Sequence, residues 1–362
     1  MTAINSNLEL RILVPGEHRR ALVALYREVL SGIVDEEQFR WKYEANPLGP
    51  MKVASYWDTS SGELVAAFSA YPRAFLHDGT IVRVFQGADA MVKSSQRGQG
   101  LFGKLTDALS DVVRAEGGLF HFGYPNDQSG PIFRRRSDSR VFAVSNAFAF
   151  VNGSKDIAAT YLGVDGWRAR VIDGIGTPLI RSLNLVRGFG RRTPLRLEAV
   201  VQFDNSSEAW SRELGRHLRF VPYRDGPFLQ WRGLEVPAAQ RADTLPFWIY
   251  EGQERFGYCL LFQDTKRGVL KLIDLLCADP TRNLLRCLEL IRWFAIDGGF
   301  DAVTTNMSGD LYQAALKRAG FLQVGPPIAG YVVFVDTELA DRYPFDGAYW
   351  YQAPIDRDNF AY

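Results

Sequence analysis

Hydrophobic and polar positions along this chain follow strand and helix periods in a set order, and that order occurs twice. Residues 8–14 alternate as a strand and residues 18–30 form an amphipathic stretch, and residues 195–203 and 206–218 repeat the pair. A tryptophan-centred segment follows in each half with matching offsets. It is Phe39, Trp41, Lys42 and Pro47 in the first, and Leu229, Trp231, Arg232 and Pro237 in the second. Two strand runs, a longer third, a helix, a Gly-Gly pair and a further strand then follow in both halves. The glycine pairs are Gly117-Gly118 before residues 119–124 and Gly298-Gly299 before residues 300–304. The pattern predicts strand, two helices, three strands, helix, strand, helix, strand, twice over.

The expected boundaries are 1–151 for the first copy, 152–193 for a partly helical linker rich in Gly and Arg, 194–336 for the second copy and 337–362 for a tail. The tail carries Tyr343, Phe345, Tyr349, Trp350, Tyr351, Phe360 and Tyr362. That is too apolar a set to remain in water, so the tail is expected to pack back, on its own domain or into a cleft.

Length and charge narrow the function. A chain of 362 residues suits two domains with a remainder. With 42 basic and 41 acidic side chains the net charge is +1, so no bulk attraction to nucleic acid or a membrane is expected and any anion site must be local. Arginine supplies 34 of the basic residues and lysine 8, which suits fork-like recognition of phosphate or carboxylate but equally reflects gene composition. Cys259, Cys277 and Cys287 sit in apolar contexts without histidines at metal spacing, so they read as core thiols and no metal site is expected. The N-terminus lacks a signal pattern, and no run approaches the roughly 18 apolar residues of a membrane helix, so the expected location is the cytoplasm.

The chemistry concentrates where a strand-like run through Ala88, Ala90 and Val92 meets Lys93-Ser94-Ser95-Gln96-Arg97-Gly98-Gln99-Gly100 and then a helix. Leu101, Leu105, Ala108, Leu109 and Val112 share one face of that helix. Glycines before a helix start let backbone N–H groups converge on an anion, which makes the loop a candidate phosphate cradle. Gly98, Gly100 and Gly103 satisfy a dinucleotide fingerprint, yet about five polar residues separate the strand from the first glycine, whereas that motif has none. Gly103-Lys104 approaches a nucleotide P-loop, but Leu105 stands where a hydroxyl must hold magnesium.

The segment most resembles the Gcn5-related N-acetyltransferase (GNAT) superfamily. Its signature is Arg or Gln, any two residues, Gly, any residue, then Gly or Ala, between a long fourth strand and a helix. Arg97-Gly98-Gln99-Gly100-Leu101-Phe102 fits the latter part, with Ser95 in the leading place and Gln96 one place late. Tyr124-Pro125-Asn126 stands where the family has its strand-end asparagine, and Ile132-Phe133 where a helix often carries Leu-Tyr. The resemblance covers most of residues 1–150, and the duplication extends the same element order to residue 336. It implies an α/β tandem GNAT fold, each copy a mixed, mostly antiparallel central sheet with helices on both faces. In the second copy the loop reads Asp279-Pro280-Thr281-Arg282-Asn283, without glycine, so that copy is expected to have lost the cofactor.

The resemblance further implies acetyl-CoA or another acyl-CoA as co-substrate and a small amine as acceptor. The diphosphate would lie on the N–H groups of Arg97, Gly98, Gln99, Gly100 and Leu101, with the pantetheine beside Val92, Lys93 and Ser94 and further contacts from Asn126 and Phe133. An amide near Val92 would polarise the thioester carbonyl. The attacking ammonium must first lose a proton, for which Asp89 and His121 are candidates and Glu63 a weaker one, each with an equally plain structural role. Phe133 occupies the place of the tyrosine that protonates the leaving thiolate in many relatives, so Tyr124, a water or unassisted departure must substitute. Trp231 and Arg232 are candidate acceptor contacts as well as plausible anchors for their helix, and Arg134-Arg135-Arg136 is either a solvated helix end or a contact for the 3′-phosphate. Two further readings stand beside N-acyl transfer to a small polar amine such as a nucleotide-linked amino sugar: an acyl-CoA-binding or regulatory protein without turnover, and a dinucleotide-dependent oxidoreductase.

Overall fold

The computed structural model describes residues 7–30, 35–154, 166–186, 193–336, 338 and 350–356. The chain forms two compact units. The first is Met1–Ala143 with Glu235–Ala238 and Ala329–Asp346; the second is Val144–Leu234, Ala239–Ile328 and Gly347–Tyr362.

In the first unit β1 (Leu8–Leu13), β2 (Lys52–Asp58), β3 (Glu63–His77) and β4 (Thr80–Val92) pair antiparallel in chain order. The crossover helix α3 (Leu101–Ala115) then returns the chain so that β5 (Phe120–Gly123) runs parallel to β4, with Phe85 opposite His121. β3 is buried at nearly every position from Leu64 to Leu76, so both faces of this sheet are covered. α1 (Arg19–Leu30) packs on β3 and β4, and α3 packs on β2 to β5. Leu101, Leu105, Leu109 and Val113, one helical turn apart, are buried along α3, at about 1.5–3 kcal/mol for each large side chain removed from water.

The second unit repeats this plan. β7 (Leu195–Ala199), β9 (Thr244–Glu251), β10 (Glu254–Asp264) and β11 (Val269–Cys277) are successive antiparallel neighbours, and α9 (Pro280–Asp297) crosses over to β12 (Ala302–Met307), parallel to β11. The last strands change places. Residues 146–151 of β6 (Ser139–Val151) pair with β12, and residues 331–334 of β13 (Leu322–Phe334) pair with β5. Each half of the chain thus completes the sheet of the other half, and the compact units differ from the contiguous segments 1–151 and 194–336 expected above. Strand periodicity specifies a buried face but not the identity of the neighbour.

The repeat extends to fine detail. Asp35 Oδ1 accepts from Gln38 N at 2.7 Å and Asp225 Oδ1 from Phe228 N at 2.8 Å, each capping a four-residue helix, α2 (Glu36–Phe39) and α7 (Gly226–Leu229). Both helices widen into a five-residue π-helical turn, Arg40–Glu44 and Gln230–Leu234, with the buried tryptophan second and Lys42 or Arg232 third. The observed order is the one predicted in each half, with α4 (Gly130–Arg134) in the first half and α6 (Ser206–Leu214) and α10 (Asp310–Arg318) in the second. The additions there are the short β8 (Phe220–Pro222) and α8 (Ala238–Arg241).

The linker contains a 21-residue helix, α5 (Gly166–Val186), with Pro178 inside it. Of the tail aromatics, Trp350 and Tyr351 are buried in the second unit, while Tyr343, Phe345, Tyr349, Phe360 and Tyr362 lie outside the described residues. Trp350 stacks on Phe220 at 5.5 Å. Fully buried Arg224 reaches Asp274 and Asp356, each at 2.7 Å, and Tyr351 donates to Asp274 at 2.9 Å, tying the tail segment into that core. Among the described residues no helix is long and apolar enough to cross a membrane.

Candidate functional site

The site builds up from an irregularity in β4. Ser69 pairs with Ala88, but Ala67 pairs with Met91, so β4 carries one more residue than β3 across this step. This is a β-bulge, and Asp89 lies in it at φ +47°. Its carboxylate accepts from Lys42 Nζ at 2.7 Å and from the Tyr43 hydroxyl at 2.5 Å, all three groups being buried. Burial first and the Asp89 charge second push the Tyr43 phenol well above its usual range. Asp89 therefore clamps the bulge to the π-helical turn. Beyond the bulge, Met91 and Val92 keep partners on β3, whereas the pairing to β5 involves only Phe85 and Gln86.

From that open end the chain enters a 3₁₀ turn, Ser94–Gln96, and then the glycine loop. Gly98 and Gly100 take φ +83° and +74°, and a Cβ at either would meet nothing within 4 Å. Backbone conformation, not crowding, calls for glycine there. Gly100 is the N-cap of α3 and supplies no side-chain acceptor, so the first-turn N–H groups face an uncapped helix end with its partial positive charge. Arg97 Nε donates to the Val92 carbonyl at 3.3 Å and Gln99 Nε2 to Gln96 at 2.7 Å, bracing the loop. Ser94 is exposed, Leu101 points its side chain into the core, and Lys93 bridges Glu28 and Glu63, each at 3.2 Å.

The second copy ends its strand differently. Asp279 occupies the N-cap of α9, at φ +43°; its carboxylate accepts from Arg282 N at 3.3 Å and from Thr281 Oγ1 at 2.7 Å, and Pro280 removes one N–H. A resident carboxylate already fills the place an anion would take.

The other sequence-predicted residues fall into two groups. Asn126 Oδ1 accepts from Gln128 N, Ser129 N and Ser129 Oγ at 3.1, 2.9 and 3.0 Å, shaping the turn before α4 at the end of β5. Tyr124 follows β5 directly, partly exposed, its ring edge-on to Phe122. His121, by contrast, is wholly buried, its Nε2 at 3.1 Å from Ser110 Oγ. Burial, with a lesser contribution from the positive charge of Arg136, lowers it to about 3, so it is neutral at physiological pH. Phe133 stacks face to face on Tyr331 at 3.7 Å and meets Phe102 edge-on, so it belongs to the core. Arg136 bridges Asp107 and Asp138. In the second unit Trp231 is buried against Phe228, and buried Arg232 donates to the Ile355 carbonyl at 3.0 Å. Sequence reading missed the Lys42–Asp89–Tyr43 cluster and Tyr331, because the partners lie about 47 residues apart or across the exchanged strand. The one available signal was a lysine beside Trp41 at a position that is otherwise core. Among the described residues no group of three His, Cys, Asp or Glu is placed to hold a metal.

Residues 16–137 match the family described as acetyltransferase (GNAT) domain. No curated protein sequence matches. Among solved structures, a GCN5-related N-acetyltransferase from Anabaena variabilis ATCC 29413 is similar at TM-score 0.61 and 13% identity, covering 91% of this chain and 73% of its own. Saccharomyces cerevisiae N-myristoyltransferase with bound myristoyl-CoA is similar at 0.60 and 14%, covering 92% and 80%. Eis1 from Mycobacterium abscessus gives 0.53 and 16%, covering 92% and 75%. Residues 16–137 are thus similar to GNAT domains, and along more than nine-tenths of its length the chain shares the α/β fold of these solved transferases.

Proposed function

We propose that this protein is an acyl-CoA-dependent N-acyltransferase, binding acetyl-CoA or a related thioester at the first copy and transferring the acyl group to the amine of a small polar acceptor, a nucleotide-linked amino sugar being one such class. The observation that carries the reading is the uncapped, glycine-led start of α3 directly after a bulged β4 whose last residues have no partner on β5. Amides from Arg97 to Leu101 take the diphosphate, which fits an uncapped helix start better than any side-chain site nearby. Asn126, its Oδ1 engaged in the turn, would donate from Nδ2 to the pantetheine, and the end of β4 polarises the thioester carbonyl.

The amine attacks the carbonyl carbon, the tetrahedral intermediate collapses, and the C–S bond breaks with the electron pair leaving on sulfur. Tyr124 returns a proton to the thiolate, a modest demand because a thiol of this type, like cysteine at about 8.5, has a pKa only somewhat above neutrality. Asp89 and His121 are both committed to buried partners and Glu63 is paired with Lys93, so the amine loses its proton to solvent. Trp231 and Arg232 are left out of the acceptor site, since their side chains are used inside the second unit.

Phe133 supports a second reading, acyl-CoA binding without turnover, because a phenyl ring supplies no proton. Thiol release from acetyl-CoA across a panel of amines separates the two. Acceptor-dependent release supports transfer, whereas CoA binding with no release by any amine supports binding alone.

A further inference from the structure

Strand β1 leaves one edge of the first unit's sheet open. It pairs with β2 in unbroken register from Leu8 to Leu13 and, among the described residues, with no other strand. Thr59 N donates to the Asn7 carbonyl at 2.8 Å, so Asn7 stands in a hydrogen-bonded pair, and every second residue after it, Glu9, Arg11 and Leu13, likewise bonds to β2. The N–H and C=O groups of Leu8, Leu10 and Ile12 therefore point outward, a ready template for another strand. Their side chains add to this. Leu10 and Ile12 stand opposite Tyr56 and Ala54, core residues on the face that α3 covers, yet are themselves 43% and 50% exposed. Neither a bulge nor a proline interrupts β1.

Charge identifies the occupant. Glu9 and Arg11 lie on the other face of β1, bridged to each other, with the Arg11 guanidinium 5.4 Å over the Trp57 ring. An antiparallel second copy of β1 centred on Leu10 sets Leu10 against the partner's Leu10 and Leu8 against the partner's Ile12, so that outward N–H and C=O groups meet at every such pair. The same register sets Glu9 against the partner's Arg11, twice by symmetry, and the four charges alternate. Sliding the copy by one step either way that keeps the outward groups opposed would bring Glu9 against the partner's Glu9 or Arg11 against the partner's Arg11. We propose that the outer edge of β1 binds a second copy of this chain, the two strands pairing antiparallel about Leu10. The apolar face of Leu8, Leu10 and Ile12 then continues across the junction.

The test is sedimentation velocity of the full chain over a concentration series, which should show monomer and dimer in equilibrium. Glu9→Arg, which opposes arginine to arginine at both ends of the pairing, should weaken the dimer about tenfold or more, with circular dichroism as in wild type. Glu9→Arg with Arg11→Glu, which restores opposite charges in exchanged places, should recover it. Cross-linking reads the register. Under mild oxidation Leu10→Cys should give a disulfide-linked dimer and Leu8→Cys alone should not, whereas Leu8→Cys mixed with Ile12→Cys should. A monomer at every concentration would overturn the proposal. So would a dimer indifferent to the charges at positions 9 and 11, or one in which Leu8→Cys links to itself.

Discussion

Replacing Asp89 with Asn separates an architectural carboxylate from a catalytic base. Asn is close in shape, tolerates the left-handed backbone at φ +47° and still accepts from the Tyr43 hydroxyl, so the substitution removes mainly the charge. What it leaves is Lys42, whose side chain is 9% exposed and whose ammonium then lacks its counter-ion at 2.7 Å. Breaking a buried pair on one side costs about 3–5 kcal/mol; with the Tyr43 bond kept, the lower end applies. In a unit of this size that is a fall in melting temperature of about 6–12 °C. Lys42→Met added to Asp89→Asn should recover part of the loss, because it removes the stranded charge. Calorimetry gives the melting temperature, titration with CoA the cradle, and thiol release the turnover. The expected result is a large drop in melting temperature, CoA affinity within a fewfold of wild type, and turnover measured below the melting transition within about tenfold. A melting temperature within 1 °C of wild type together with turnover down by about a hundredfold or more, the range for losing a general base, would refute it and make Asp89 the base.

Three further outcomes follow from the same geometry. Gly100→Asn should fold nearly as wild type and Gly100→Val should lose about 1–2 kcal/mol by thermal unfolding, because φ +74° is open to Asn and strained for a β-branched residue; equal stability of the two would show that the loop relaxes. His121 is held neutral with a pKa of about 3, below its unfolded value, so the unfolded chain binds the extra proton between pH 6.5 and about 3. As pH falls through that window stability should drop by about 1.4 kcal/mol per unit from this group alone, and His121→Gln should remove that slope in denaturant titrations; identical slopes would mean that His121 protonates as readily folded as unfolded. With no side chain serving as base, turnover should climb with pH toward the acceptor amine's own pKa, and a plateau beginning near pH 6–7 would reveal an enzymic base after all.

The duplication was legible because it is written in local chemistry: Asp35 and Asp225 cap, Trp41 and Trp231 anchor, and the offsets between them match. The glycine loop was legible for the same reason, since positive φ at Gly98 and Gly100 leaves a compositional trace. The exchange of β6 and β13 left none, because a strand's alternation is the same whichever strand it joins. Asp89 read as a strand residue near a thioester; only the bulge and Lys42, distant in sequence, show how it is used. Helix α5 was obscured by Gly174, Gly176, Pro178 and its arginines, and by an apolar face turned outward, so the usual rule for finding the buried side fails there.

The first copy alone is expected to cradle the cofactor, since Gly100 leaves its helix start uncapped while Asp279 closes the other with its own carboxylate. Calorimetric titration of the full chain with CoA tests this most directly. One site per chain is expected, abolished by Gly100→Val at a temperature where that variant is folded and unaffected by Asp279→Asn. Two sites, no binding, or undiminished affinity in Gly100→Val would contradict it.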